Sequence, residues 1–137
     1  GGASTAFALS RADHDIQVEK LVLINVPNCM EGVLRDAANT LHVPPPAVRR
    51  FIQYVEQKVK FPVHQADTSR ADLQQQVRQA LIVHDEQDAV VDFSEGKAIF
   101  EAWDNASMLV TRGYGHFRLM KNPDLIRYIA DFMSDKL

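Results

Sequence analysis

The hydrophobic positions of this chain change their spacing several times, and each change marks an element. Leu21-Val22-Leu23-Ile24-Asn25-Val26 is apolar at almost every position, and Pro27-Asn28 ends it. An unbroken apolar run of that length is the pattern of a strand covered on both faces; a half-exposed strand would alternate. Leu81-Ile82-Val83-His84 repeats the pattern and stops in the acidic turn Asp85-Glu86-Gln87-Asp88. Ser107-Met108-Leu109-Val110-Thr111 gives a third strand, which ends before Gly113-Tyr114-Gly115-His116-Phe117.

Between these runs the spacing becomes helical. Met30 to Leu41 places Leu34, Ala37, Ala38 and Leu41 on one face, and Pro44-Pro45-Pro46 breaks that helix and starts another. The second helix carries the stripe Val48, Phe51, Ile52, Val55, Val59, with Arg49, Arg50, Glu56 and Lys60 on its other faces. Thr68 or Ser69 is expected to cap a third helix running through Leu73, Val77 and Ala80, with Asp72 in its first turn. Val91-Asp92-Phe93-Ser94 opens a helix bearing Ala98, Ile99, Ala102 and Trp103, and Asp92 is expected to cap it. Asn122-Pro123-Asp124 opens the last helix, whose buried face is Leu125, Ile126, Ile129 and Phe132-Met133. At the other end, Gly1-Gly2-Ala3-Ser4 leads into a helix of small residues through Ser10, and residues 11–19 form a polar connection. Strands alternating with helices predict an α/β chain, a parallel sheet with flanking helices.

The totals narrow the function classes. The chain has 137 residues, the size of one domain, with 46% hydrophobic and 24% charged residues, both ordinary globular values. A net charge of −3 speaks against nucleic acid, which needs clustered Lys and Arg. No run approaches the roughly 18 apolar residues that span a membrane. The single cysteine, Cys29, leaves no internal disulfide and fits a reducing, cytoplasmic compartment. There is no metal-ligand spacing, no phosphate loop and no dinucleotide fingerprint, so no cofactor is expected.

The candidate chemistry sits where two strands stop. Parallel sheets bind ligands beyond the carboxyl ends of their strands, so a carboxylate and a histidine delivered there are candidates for acid–base work. Asp85, Glu86, Asp88 and Asp92 compete for the acid role, and His116 is the base candidate. The bland alternatives are a turn-forming aspartate and a loop histidine bonded to backbone. His84 is expected to hydrogen-bond within the acid loop, Arg118 and Lys121 to be solvated charges, and His42, Tyr54 and His64 to be packing or surface residues.

Acid first and histidine second, each after its own strand, resembles the late part of the Ser…Asp…His order of the α/β-hydrolases. In the family pattern His-Gly-x-x-Asp-x-x-Val, His84 and Val91 set the register and put the acid on Asp88; Asp85 stands where the family has glycine. Gly1-Gly2 resembles the end of the nucleophile elbow G-x-S-x-G, which would place the nucleophile two residues before Gly1. The resemblance implies the C-terminal half of an α/β-hydrolase fold, with strands 21–26, 81–84 and 107–111 as consecutive neighbours. It divides the chain into a core, 1–28 and 71–137, and a helical cap inserted at 29–70. It implies a serine hydrolase acting on a small ester-like substrate, with Asp88 and His116 catalytic and the serine outside the chain. Sister activities of the fold (dehalogenase, epoxide hydrolase, peptidase) and a non-catalytic interaction module are the alternatives. In the isolated chain strand 21–26 would then have an open edge, through which aggregation, segment swapping or a homodimer is expected, and this chain alone is expected to be inactive.

Overall fold

A computed structural model describes residues 16–137 of the chain. The glycine-rich opening, the small-residue helix and most of the polar connection after it lie outside the described residues. Three parallel strands form the sheet in the order β1 (Val18–Ile24), β2 (Val77–Asp85), β3 (Ala106–Thr111). Helices α1 (Met30–Thr40) and α2 (Pro45–Val59) fill the first connection, followed by a short 3-10 turn at Val63–Gln65 and the single turn α3 (Ala71–Gln74). Helix α4 (Phe93–Ala102) joins β2 to β3. A short helical turn, α5 (Gly115–Arg118), and α6 (Pro123–Met133) close the chain.

The continuous apolar runs are explained by cover on both faces of the sheet. On one face Leu23, Ala80, Ile82 and Met108 pack with Leu73, Ile99 and Trp103 from α3, α4 and its end. On the other, Val22, Ile24, Leu81, Val83 and Leu109 pack with Leu119, Leu125, Ile129 and Phe132. Two caps form as their sequences predict. Asp92 accepts from the Ser94 N–H at 2.9 Å, and Asn122 accepts from the Asp124 N–H at 3.0 Å with Pro123 at the first helical position.

Three expectations fail. The helix through Leu73, Val77 and Ala80 stops at Gln74, and Val77 already pairs with Val18 in the sheet. The spacing 73-77-80 fits a helix, but the register Val18↔Val77 to Ile24↔Val83 recruits those residues as strand, so tertiary pairing overrides local pattern. Thr68 and Ser69 do not cap that turn either; Arg70 precedes it with no side-chain capping bond. β1 likewise begins three residues early, at Val18, and so includes Lys20. The Lys20 ammonium turns to the carboxyl end of α6, bonding the Phe132 carbonyl and pairing with Asp135, where a cation suits the helix dipole.

The long first connection leaves and returns at one point. Cys29 bridges Asp67 in antiparallel fashion, the Met30 N–H donates to the Ala66 carbonyl at 3.1 Å, and the Thr68 N–H donates to the Asn28 carbonyl at 2.7 Å. The Ser69 N–H donates to Asn28 Oδ1 at 2.8 Å. Beyond this neck, α1, α2 and the 63–65 turn pack on one another.

Candidate active site

The three strands end side by side, and their carboxyl ends build the site. At the end of β2 the chain turns tightly, the Asp88 N–H donating to the Asp85 carbonyl at 3.1 Å. Asp88 Oδ1 then accepts from the N–H groups of Val90 and Val91 at 2.8 and 2.9 Å, an aspartate closing its own loop. That leaves Oδ2 free to point along the sheet edge, and His116 Nδ1 meets it at 2.8 Å. The two expected side chains are therefore in contact, Asp88 buried and His116 a quarter exposed. Because a carboxylate accepts, Nδ1 carries the proton in this contact, and the lone pair is left on Nε2.

The histidine comes from the short turn α5, where an irregular loop was expected. Gly113 has φ +89° and Gly115 has φ +60°, conformations that side chains rarely adopt. Arg118 is more than a solvated charge: it donates to the carbonyls of Tyr114 and Gly113 at 3.2 and 3.0 Å and so braces the loop. Phe117 stands edge-on to the His116 ring, 4.9 Å between centroids, and is 78% exposed.

His84 sits behind the acid. It is fully buried, its Nε2 is 3.0 Å from the Val91 carbonyl and 3.9 Å from Asp88 Oδ2, and Phe93 lies edge-on to it at 5.9 Å. A carbonyl partner requires Nε2 to donate, which leaves Nδ1 as an acceptor with no partner among the described residues. Gly96 of α4 makes room for it: a Cβ there would lie 2.2 Å from His84 Nδ1. His42 and His64 are exposed, and Tyr54 is exposed as well, away from this cluster of contacts.

Two residues of the site carry a role that sequence reading missed. Asn25, at the end of β1, has φ +48°, which asparagine tolerates better than most residues. Its Oδ1 accepts from the Asp85 N–H at 3.0 Å, and its Nδ2 donates to the carbonyls of Gly115 and His116, each at 3.3 Å. Asp85 is fully buried and accepts from four donors, in the acid loop, at the end of β3 and in the histidine loop. Burial pushes its pKa up, but hydrogen bonds from the Thr111 hydroxyl and the N–H groups of Tyr114, Gln87 and Gly115 outweigh that and hold it below the ordinary carboxylate value. The signal available for Asn25 was a lone polar residue inside an otherwise apolar run. Among the described residues, no group of three His, Cys, Asp or Glu side chains is placed to hold a metal ion.

No family model and no curated protein matches the chain by sequence. Solved structures do match by fold. A protein of Mycobacterium tuberculosis described as a non-heme bromoperoxidase is 14% identical, with a TM-score of 0.62 over 98% of this chain and 64% of that one. The meta-cleavage product hydrolase of Pseudomonas fluorescens is 19% identical, with a TM-score of 0.59 over 100% of this chain and 62% of that one. The alpha/beta hydrolase domain-containing protein 10 of mouse is 13% identical, with a TM-score of 0.54, 98% of this chain covered and 57% of that one. The chain has an α/β-hydrolase fold. It has that fold in part, since it spans about three fifths of the length of these α/β-hydrolase structures. In this α/β-hydrolase fold β2 delivers Asp88 and the loop after β3 delivers His116. No helix among the described residues is long and apolar enough to cross a membrane.

Proposed function

We propose that this chain supplies the acid and the base of a serine hydrolase that cleaves carboxylic esters or similar acyl bonds. Asp88 is the acid and His116 the base. The observation that carries the reading is the 2.8 Å contact of His116 Nδ1 with Asp88 Oδ2 at the carboxyl edge of a parallel sheet. In the reaction His116 Nε2 takes the proton of the serine hydroxyl as it attacks the acyl carbon. The same nitrogen then returns that proton to the leaving alcohol, and Asp88 stabilises the imidazolium in between. Water repeats the cycle on the acyl-enzyme. The nucleophile and the two oxyanion N–H donors belong, on this reading, to sequence preceding Gly1.

The reading extends to the architecture. Residues 1–28 and 71–137 are the core, and 29–70 are a cap over a small ester-like substrate. The neck at Asn28 and Thr68 supports that division, because it lets the insertion pack on itself. Among the described residues β1 pairs only with β2, so in the isolated 137 residues its other edge is the surface through which a homodimer would form. Light scattering after size exclusion tests that point, and a strict monomer removes it.

The test of the chemistry is fluorophosphonate labelling of the protein expressed from its complete reading frame. Labelling is expected on a serine of a Gly-x-Ser-x segment before Gly1, and His116→Ala is expected to abolish it. Labelling that survives His116→Ala, or a reading frame with no such segment, overturns the proposal.

A further inference from the structure

Asp85 stands where the related pattern has glycine, and it is the most heavily bonded side chain of the site. Its Oδ2 accepts from the Thr111 hydroxyl at 2.8 Å and from the Tyr114 N–H at 3.1 Å. Its Oδ1 accepts from the N–H groups of Gln87 and Gly115, at 3.0 and 3.1 Å. Its own N–H is held by Asn25 Oδ1, and Asn25 Nδ2 holds the carbonyls of Gly115 and His116. One carboxylate thus receives the acid loop at Gln87, the last residue of β3 at Thr111, and the histidine loop at Tyr114 and Gly115. Through Asn25 the end of β1 joins the same knot. Asp88 and His116 each hang from a loop that Asp85 ties down.

We infer that Asp85, locked by Asn25, is a positioning residue that sets the register of His116 against Asp88. This rests on the proposed acid and base roles for its catalytic consequence, though not for its geometry. The bonding pattern is specific to a carboxylate. Four donors meet two oxygens, two on each, and only an ionised carboxyl accepts at every one of those sites. An amide with its NH2 toward Gln87 and Gly115 would set two donors against two N–H groups; with its NH2 toward Thr111 and Tyr114 it could donate to the Thr111 hydroxyl but would still face the Tyr114 N–H. Buried donors left without an acceptor force the loop to move. A glycine at this position, as in the related pattern, would leave all four unanswered in this chain.

The experiment compares Asp85→Asn and the milder Thr111→Val with wild type in the protein expressed from its complete reading frame. Two readouts are taken: the low-field proton NMR signal of His116 Nδ1–H, and kcat and KM on a p-nitrophenyl ester. Asp85→Asn is expected to shift or broaden the proton signal and to lower kcat about a hundredfold with KM nearly unchanged, the size of loss that a misplacement of about 1 Å produces. Thr111→Val removes one of the four bonds and is expected to act in the same direction, at about threefold. If Asp85→Asn does not fold, Thr111→Val alone decides. An unmoved proton signal in the folded variants overturns the inference, as does a loss confined to melting temperature. A wild-type protein that shows the low-field signal but no esterase activity and no fluorophosphonate labelling refutes the proposed hydrolase and leaves the NMR comparison to judge Asp85.

Discussion

The sheet rim and the 29–70 insertion are held together in opposite ways. At the rim, Asn25, His84, Asp85 and Asp88 are all buried, and their polar atoms knit three strand ends into one network. In the insertion no residue of α1 is buried and only Val48 of α2 is, while Phe51 is 52% exposed. The rim is rigid because its groups are satisfied only in one arrangement. The insertion is attached through one neck, where Glu95 Oε2 of α4 also accepts from the N–H groups of Asn28 and Cys29 at 2.8 and 3.2 Å. A region that must hold two side chains in register has many bonds across elements. A region that packs mainly on itself needs few.

The contrast predicts where mutations strike. The largest effect is expected at the rim: His116→Ala should lower ester turnover about a thousand- to ten-thousandfold with little change in melting temperature. A thermal melt and a kcat measurement on the same sample check both halves. Next comes Gly96→Ala, whose Cβ would lie 2.2 Å from Nδ1 of the fully buried His84. The ring has nowhere to go, so destabilisation of about 2 kcal/mol is expected in urea unfolding. A neutral result would mean that α4 shifts easily, contrary to a rigid rim.

Acid should find the rim before the insertion. Asp85 is held below the ordinary carboxylate value by its four donors, net of burial. The unfolded chain therefore binds the proton more readily than the folded one. The stability that this group contributes is complete above about pH 4, the unfolded value, and is lost as the pH falls from there through the folded value. Urea midpoints between about pH 5 and pH 3 should fall for wild type and fall less steeply for Asp85→Asn. The smallest effects belong to the insertion. Arg35 pairs with Glu31 at 2.5 Å on exposed α1, and Arg35→Ala should cost no more than about 0.5 kcal/mol. Phe51→Ser should leave the melt within about 0.5 kcal/mol while raising KM several-fold if the insertion covers the substrate. An unchanged KM would mark it as structural.

How much of this was legible beforehand differs by level. The three apolar runs and the two capped helices announce themselves, since burial on both faces and an unpaired helix N-terminus each leave a local mark. The pairing of Asp88 with His116 could be anticipated from two strand-end loops on one edge of a sheet. Val77 to Ala80 could not be read correctly, because its helical spacing is real and only the partner strand, far away in sequence, makes it a strand.

What the sequence determined by itself was therefore the three apolar runs, the caps at Asp92 and Asn122, and the order of the Asp88 and His116 loops, properties written within a dozen residues. What only the tertiary structure decided was the role of residues whose partners are distant. Asp85 looks like one turn carboxylate among four, and becomes the anchor of the histidine loop because Thr111, Tyr114 and Gly115 arrive from β3 and the loop after it. Asn25 looks like the end of a strand, and becomes the link to the acid and histidine loops because its left-handed backbone aims its amide across the rim. Hydrogen-bond partners are chosen by proximity in space, and a buried polar group carries no local signature of which distant donor will satisfy it.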